Sequence, residues 1–463
     1  MLRTSRVACS FLIVLGVCLG FGCSDKSTEP GDTPSPLPTH LWSKQFGDEN
    51  QQILPSVAVD AAGNTIVAGF FEGTVDFGGG ALTSAGEYDI FIAKFGSDGS
   101  HLWSMRFGDE AEQTAMSVAV DASGNVLVAG HFEGTVDFGG GALTSAGYID
   151  IFVAKFGSDG AHQWSMQFGD WAIQWATSVA VDASGNVIIA GTFTSTVDFG
   201  GGTLTSAGDQ DIFVAKFGTD GAHLWSKRFG DEAIQRVGSV TVDASGNVII
   251  AGSFKGAVDF DGGTLTSAGD WDIYVATFGS DGAHQWSKRF GDGAIQYAKN
   301  AAVDASGNVI IAGDFEGAVN FGGGTLTSAG ELDGYVAKFG SDGAHQWSKR
   351  FGDGASQNAN FVAADDLGNV IIAGGFESAV NFGGGGLTSA GDRDIYVAMI
   401  GSDGAHQWST RFGDAAYQTA FSVAVDVSSN VIVAGHFDGT IDFGGGTLTS
   451  AGNGDYFVVK FIP

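Results

Sequence analysis

Nine histidines, a repeated Asp and Asn pair, runs of three glycines and a set of unmatched aromatic and basic residues are the groups in this sequence able to do chemistry. Seven histidines (His40, His101, His162, His223, His284, His345 and His406) recur at a constant spacing of 61 residues. Imidazole serves as metal ligand and general base, but one copy per repeat predicts separated side chains rather than a cluster. His131 and His436 share a second column in the second and seventh repeats and are also expected to stand apart, so no metal site is expected. Asp60, Asp121, Asp182, Asp243, Asp304, Asp365 and Asp426 head segments of the type VDASGN. A ring of such carboxylates could hold a cation. An Asp ahead of a tight turn more commonly accepts backbone N–H groups, Asn and Gly supply positive φ, and the oxygen-rich DxDxDG loop is absent, so a turn role is expected. Triple glycines such as Gly200-Gly201-Gly202 lack the Lys and the helix of a phosphate loop and are expected to be flexible or bulged connections. GxSxG, HExxH and a cysteine nucleophile are absent. The recurring Asp, Gln and His cannot converge on one point, so no catalytic residue and no cofactor are expected.

The elements that position these groups follow from the period. From His40 to Pro463 one unit of 61 residues is written seven times, starting at residues 40, 101, 162, 223, 284, 345 and 406, without insertion or deletion. A unit this small cannot bury its own apolar surface, so the copies must stack. In the third unit Ser178 to Asp182 and Val187 to Ala190 flank a tight turn, and Asp211 to Phe217 and His223 to Phe229 flank another. These predict two hairpins. Apolar runs such as VIIA and IFVA suit strands covered on both faces. The expectation is an all-β, seven-bladed β-propeller of four-stranded blades. The last unit ends at the strand Asp455 to Phe461 without its usual partner, and His40 to Phe46 lacks a predecessor, so the N-terminal strand is expected to pair with the C-terminal strand and close the ring.

The stretches VAVDASGNVIIAG and DIFVAKFGSDGAHQWSKRFGD resemble the bacterial seven-bladed β-propeller repeat family known as SBBP, over the whole of residues 40–463. Modest departures are Ala363 to Leu367 in the sixth unit and Ser429 in place of Gly in the seventh. That resemblance implies export and the propeller fold, and no particular activity. GSDGAHQW also resembles the turn before the tryptophan of quinoprotein-type propeller repeats, which occur in dehydrogenases and in outer-membrane assembly scaffolds.

Ahead of the repeats, Arg3 and Arg6 precede an apolar run from Val7 to Phe21, the pattern of a secretory signal peptide over residues 1–22. Leu19-Gly20-Phe21-Gly22-Cys23 resembles a bacterial lipoprotein box, departing from it at Gly20, and that resemblance implies lipid attachment at Cys23. Residues 23–39 hold four of the six prolines with Ser, Thr and charged residues, the composition of an extended tether. Ser24 after the cysteine favours the outer membrane by the same resemblance, with the chain facing the periplasm or the surface; release after cleavage is the alternative. All three cysteines lie at or before residue 23, so the repeats hold no disulfide. A net charge of −31, from 21 basic and 52 acidic residues, argues against nucleic acid and leaves a lipid anchor as the one expected link to a membrane. A monomer is expected.

The copies differ in three segments. One column reads Ile53, Thr114, Trp175, Arg236, Tyr297, Asn358 and Thr419, expected in the link that enters each blade. Another reads Phe70, His131, Thr192, Ser253, Asp314, Gly375 and His436, expected just after the second strand. The third is the pair before the third strand, such as Asp270-Trp271. All three should share one face of the ring. Exposed loops drift for want of packing; yet Trp171, Trp175, Arg236, Trp271 and Tyr297 all fall in the third to fifth units, these residue types dominate interface hot spots, and exposed aromatic rings also stack on sugars. They are the expected ligand-binding residues. The function expected is a non-enzymatic cell-envelope lipoprotein whose propeller face recognises a peptide, protein or glycan. The alternatives are a propeller enzyme of hydrolase, lyase or quinoprotein type, and a purely structural outer-membrane assembly scaffold.

Overall fold

A computed structural model describes residues 37–50, 52–452 and 454–463, the side chains of residues 52–55 excepted. The expected signal peptide, Cys23 and most of the tether lie outside the described residues.

Blade 3 shows how the sequence becomes a sheet. Its strands Gln174–Val181, Val187–Phe193, Asp211–Phe217 and His223–Phe229 lie side by side from the channel outward, all antiparallel. The second and third strands are buried at every residue, because both faces of the blade are covered by neighbours. Ile188 and Val214 of blade 3, for example, share one core with Val240, Ile250 and Tyr274 of blade 4. Each fully buried Ile or Val of this kind contributes roughly 1.5–3 kcal/mol. Every blade takes three strands from one repeat and its outer strand from the next. In blade 7 that outer strand comes from the other terminus: Thr39–Phe46 pairs with Asp455–Ile462, Ser43 opposite Val459. The ring is thus a seven-bladed propeller closed by its termini, as the repeat pattern predicts.

One expectation needs correction. The Gly-rich connection between the second and third strands is not irregular. In each blade it folds into a two-stranded ribbon, Thr196–Asp198 against Thr203–Thr205 in blade 3. Asp198 accepts from the N–H groups of Gly200 (2.7 Å) and Gly202 (3.1 Å), two glycines at φ 103° and 110°. The strands are too short and the alternation too brief to announce a sheet. The ribbon lays Phe199 between Phe168 and Phe213, with ring centroids 5.0 and 4.8 Å away.

The hairpin end of the blades repeats the same polar device. Asp182 accepts from the N–H groups of Ser184 and Asn186 and from the Asn186 side chain, the turn role expected for the VDASGN column. It also pairs at 2.9 Å with buried Lys216, whose ammonium reaches on to the Ser280 carbonyl of blade 4 at 3.2 Å. The same ion pair recurs at Lys94, Lys155, Lys338 and Lys460; Lys94 and Lys155 reach the equivalent carbonyl of the next blade, and Lys338 and Lys460 reach the Gly368 and Gly63 carbonyls of theirs. Outer-strand tryptophans cap the same kind of carbonyl, Trp225 Nε1 to Ser280 O at 3.1 Å. The repeated histidines are structural: each ring lies within 3.0–3.1 Å of a serine hydroxyl three residues on, as His223 does with Ser226.

Candidate functional site

The opposite end, where each inner strand begins and each second strand ends, is where the copies differ. Two of the three variable columns do not sit in loops. Trp175, Arg236 and Tyr297 are the second residues of their inner strands, directly paired with Thr192, Ser253 and Asp314 on the second strands. Two of the three variable columns are therefore one column of cross-strand pairs. The third is tied to them: the Trp271 carbonyl accepts from the Gln296 N–H of blade 5, next to Tyr297. All three segments share this end of the ring, because antiparallel pairing puts both strand ends there.

The structure brings together three of the five expected site residues. The guanidinium of Arg236 lies 4.9 Å from the centre of the Trp271 ring, and the ammonium of Lys255 lies 5.0 Å from it. Tyr297 meets the same ring at 5.9 Å between centroids. Trp271 is thus only 7% exposed. Its expected role as an open stacking platform is not available, since two cations and a phenol occupy its surroundings. Arg236 is exposed. Trp175 sits apart from this group, 6.3 Å edge-on to His131 of blade 2. Trp171, on the link into blade 3, is 71% exposed. His131 itself lies 2.7 Å from the Thr114 hydroxyl, and burial pushes its pKa down to about 4, so it is uncharged at neutral pH. Burial, with the nearby Asp270 carboxylate, raises the pKa of Tyr297, which keeps its proton at neutral pH.

Two participants were not singled out from the sequence. Lys255 follows the second strand and pairs with Asp270. Its column is Glu72, Glu133, Thr194, Lys255, Glu316, Glu377 and Asp438, so a charge reversal was the available signal. Lys299 belongs to the column Pro55, Met116, Thr177, Gly238, Lys299, Asn360 and Phe421, seven residue types in seven copies. The ladder slips around this position in every blade, between Ala176 and Ser178 in blade 3 and between Ala298 and Asn300 in blade 5. An inserted residue of this kind turns its side chain out of the ladder, and Thr177, Gly238, Lys299 and Phe421 line a central channel of about 520 Å³. Lys299 pairs with Asp314, which is 1% exposed, and donates to Asn360 at 3.2 Å; Asn360 in turn donates to the Ala420 carbonyl at 3.3 Å. Just beside this bulge, serines join the blades: Ser178 Oγ accepts from the Val240 N–H at 3.0 Å and Ser117 Oγ from Val179 at 3.1 Å. Blades 5 and 6 replace that serine by Asn300 and Phe361.

Between blades 4 and 5 the surface opens into a pocket of about 300 Å³ lined by Arg236, Val237, Gly238, Ser253, Tyr297, Ala298 and Lys299. The pocket exists because Gly238 lets the two inner strands approach: a Cβ there would stand 2.4 Å from the Ala298 carbonyl oxygen.

No family model matches the chain. Among curated proteins it is similar to an uncharacterized WD repeat-containing protein of Acanthamoeba polyphaga mimivirus, 23% identical over 86% of this chain and 36% of that protein. It is also similar to the regulatory protein FlaEY of Caulobacter vibrioides, 25% identical over 84% of this chain and 43% of that protein. The chain therefore spans less than half the length of either relative. Solved structures of similar shape include Sqt1 from Chaetomium thermophilum, with 8% identity, 92% and 100% of the two chains covered and a TM-score of 0.43. A gluconolactonase from Xanthomonas campestris follows at 11% identity, 93% and 99% coverage and a TM-score of 0.34. These similarities are too low to choose a function.

Proposed function

We propose that this protein is a non-enzymatic recognition module of the cell envelope, held by a lipid on Cys23, that binds a peptide or protein partner through the link end of blades 3 to 5. The observation that carries this reading is where symmetry breaks. Arg236, Lys255, Lys299 and Arg393 are basic residues in columns that are not basic in the other copies; the first three fall in blades 4 and 5 at this end, and Arg393 in the adjoining blade 6. Drift alone would scatter them around the ring. Exposed Trp171 and Arg236 add the residue types that anchor interfaces. A glycan is the weaker occupant, because Trp271 is covered by cations instead of presenting an open ring face.

The test is capture from envelope extract by residues 24–463, compared with a Trp171→Ala, Trp175→Ala, Arg236→Ala variant. Trp271 is left intact because it is buried. Loss of the captured partner at an unchanged melting temperature is expected. Equal capture by both proteins would leave a structural propeller as the better reading.

A further inference from the structure

Seven arginines lie among the described residues, and six of them pair with a carboxylate: Arg106, Arg228, Arg289, Arg350 and Arg411 with the buried Asp that opens the third strand, and Arg393 with Glu377. Arg236 is the exception. In a chain of net charge −31 its guanidinium has no carboxylate partner among the described residues and rests on the Trp271 ring instead. It stands at the edge of the pocket between blades 4 and 5. The other cations there are already neutralised, Lys255 by Asp270 and Lys299 by Asp314. The pocket thus carries one uncompensated positive charge.

That count, together with the lining, selects a ligand class. A dianionic phosphate would leave surplus negative charge in an acidic protein, whereas one carboxylate balances Arg236 and matches the two parallel donors of a guanidinium. The remaining wall is largely apolar: Val237, Gly238, Ala298 and the ring of Tyr297. Ser253, its one hydroxyl besides the phenol, already accepts the Ala298 N–H at 3.1 Å. Ser253 keeps only its own hydrogen to donate, so a sugar acid would bring more hydroxyls than this lining can partner, each unpartnered one at a desolvation cost. A volume of about 300 Å³ sits at the small end of ligand pockets and fits a group of one-residue size. We infer that the pocket between blades 4 and 5 binds the C-terminal carboxylate of a peptide ending in an apolar residue, with Arg236 holding the carboxylate and Val237, Ala298 and Tyr297 enclosing the side chain. This deepens the recognition reading and rests on it. Trp271 preorganises the guanidinium by cation–π contact.

The test uses the full chain and three probes: N-acetyl-leucine, N-acetyl-leucinamide and glucuronate, each titrated by ligand-observed NMR and tryptophan fluorescence. Saturable binding of N-acetyl-leucine is expected, with the amide weaker by about 10-fold or more through the loss of one charge-assisted pair, and glucuronate weaker by a similar factor because it keeps the carboxylate but sets hydroxyls against an apolar wall. Arg236→Gln should weaken N-acetyl-leucine by a similar factor. Lys227→Gln, which removes an outer-strand cation paired with Asp261, should leave it unchanged. Equal binding of acid and amide, tighter binding of glucuronate, no binding of N-acetyl-leucine, or indifference to Arg236→Gln would each overturn the assignment. Should partner capture depend on Trp171 and Trp175 while N-acetyl-leucine fails to bind, the pocket falls and the recognition face stands. Binding of N-acetyl-leucine with capture unaffected by the rim variant would sink the face and keep the pocket.

Discussion

The two ends of this propeller use the same materials for opposite purposes. At the hairpin end an aspartate holds its own turn and, in five blades, a buried lysine that reaches the next blade. At the link end another buried aspartate opens the third strand and, in five blades, meets an arginine from the outer strand. Repetition at both places shows where the fold needs a fixed answer. Between those two fixed rings, the start of the inner strand changes from blade to blade, and the cations it gains are not needed to build the ring. Stability and recognition are therefore expected to respond to different substitutions, and the repeats supply their own controls.

The largest effect is expected at the hairpin end. Asp182→Ala would leave the ammonium of Lys216 buried without its anion, at a cost of about 3–5 kcal/mol in unfolding free energy. Lys216→Met should cost much less, because blade 6 already carries Met399 at that column. Equal losses for the two would contradict the assignment of the aspartate to both its own turn and the buried lysine. Trp271→Ala comes next, at about 3 kcal/mol, since this residue is buried although it lies at the variable end; chemical denaturation measures both.

The exceptions in the arginine column allow a test with pH. Gln45 and Gln167 stand where arginine is usual; Gln45 donates to Asp455, and Gln167 donates to the Thr144 carbonyl. Burial raises the Asp455 carboxyl from 3.8 to about 6, and Gln45 reaches it only with a 3.3 Å amide hydrogen bond. The folded chain then holds a proton that the unfolded chain releases, so this group's contribution makes stability fall as pH rises from 3.8 to about 6 and level off above. Gln45→Arg should flatten that slope and add about 1–2 kcal/mol at neutral pH. An unchanged profile of melting temperature against pH would contradict the pairing. A smaller gain, about 1 kcal/mol, is expected for Ser429→Gly, because Ser429 is held at φ 62° in a turn where other repeats use glycine. The smallest shift belongs to Trp171→Ala, whose exposed ring should move stability by no more than about 0.5 kcal/mol.

The repeat period and the two hairpins were enough to read the propeller and its closure from sequence, because strands buried on both faces leave unbroken apolar runs such as Val187 to Ala190. The ribbon in the glycine segment was not legible, since three-residue strands held by an Asp and two positive-φ glycines carry no apolar alternation. Within the candidate site, Arg236, Trp271 and Tyr297 were found through their columns, and they do touch. What sequence misplaced was the setting of Arg236 and Tyr297, since a paired strand position looks like a loop when its residues vary; Trp271 does lie just before the third strand, as expected. Lys299 was hidden by a bulge, because an inserted residue breaks the period by which strand faces are assigned. Trp271 was taken for an open surface because the lysine that covers it, Lys255, sits in a column that is mostly acidic.

The most direct test of the central claim is hydrogen exchange on the protein with its captured envelope partner bound. The account predicts new protection confined to the link-end segments of blades 3 to 5, residues 171–177, 234–238 and 295–299, with the turns headed by Asp182, Asp243 and Asp304 unchanged. Protection at those turns, or spread evenly over all seven blades, would contradict it.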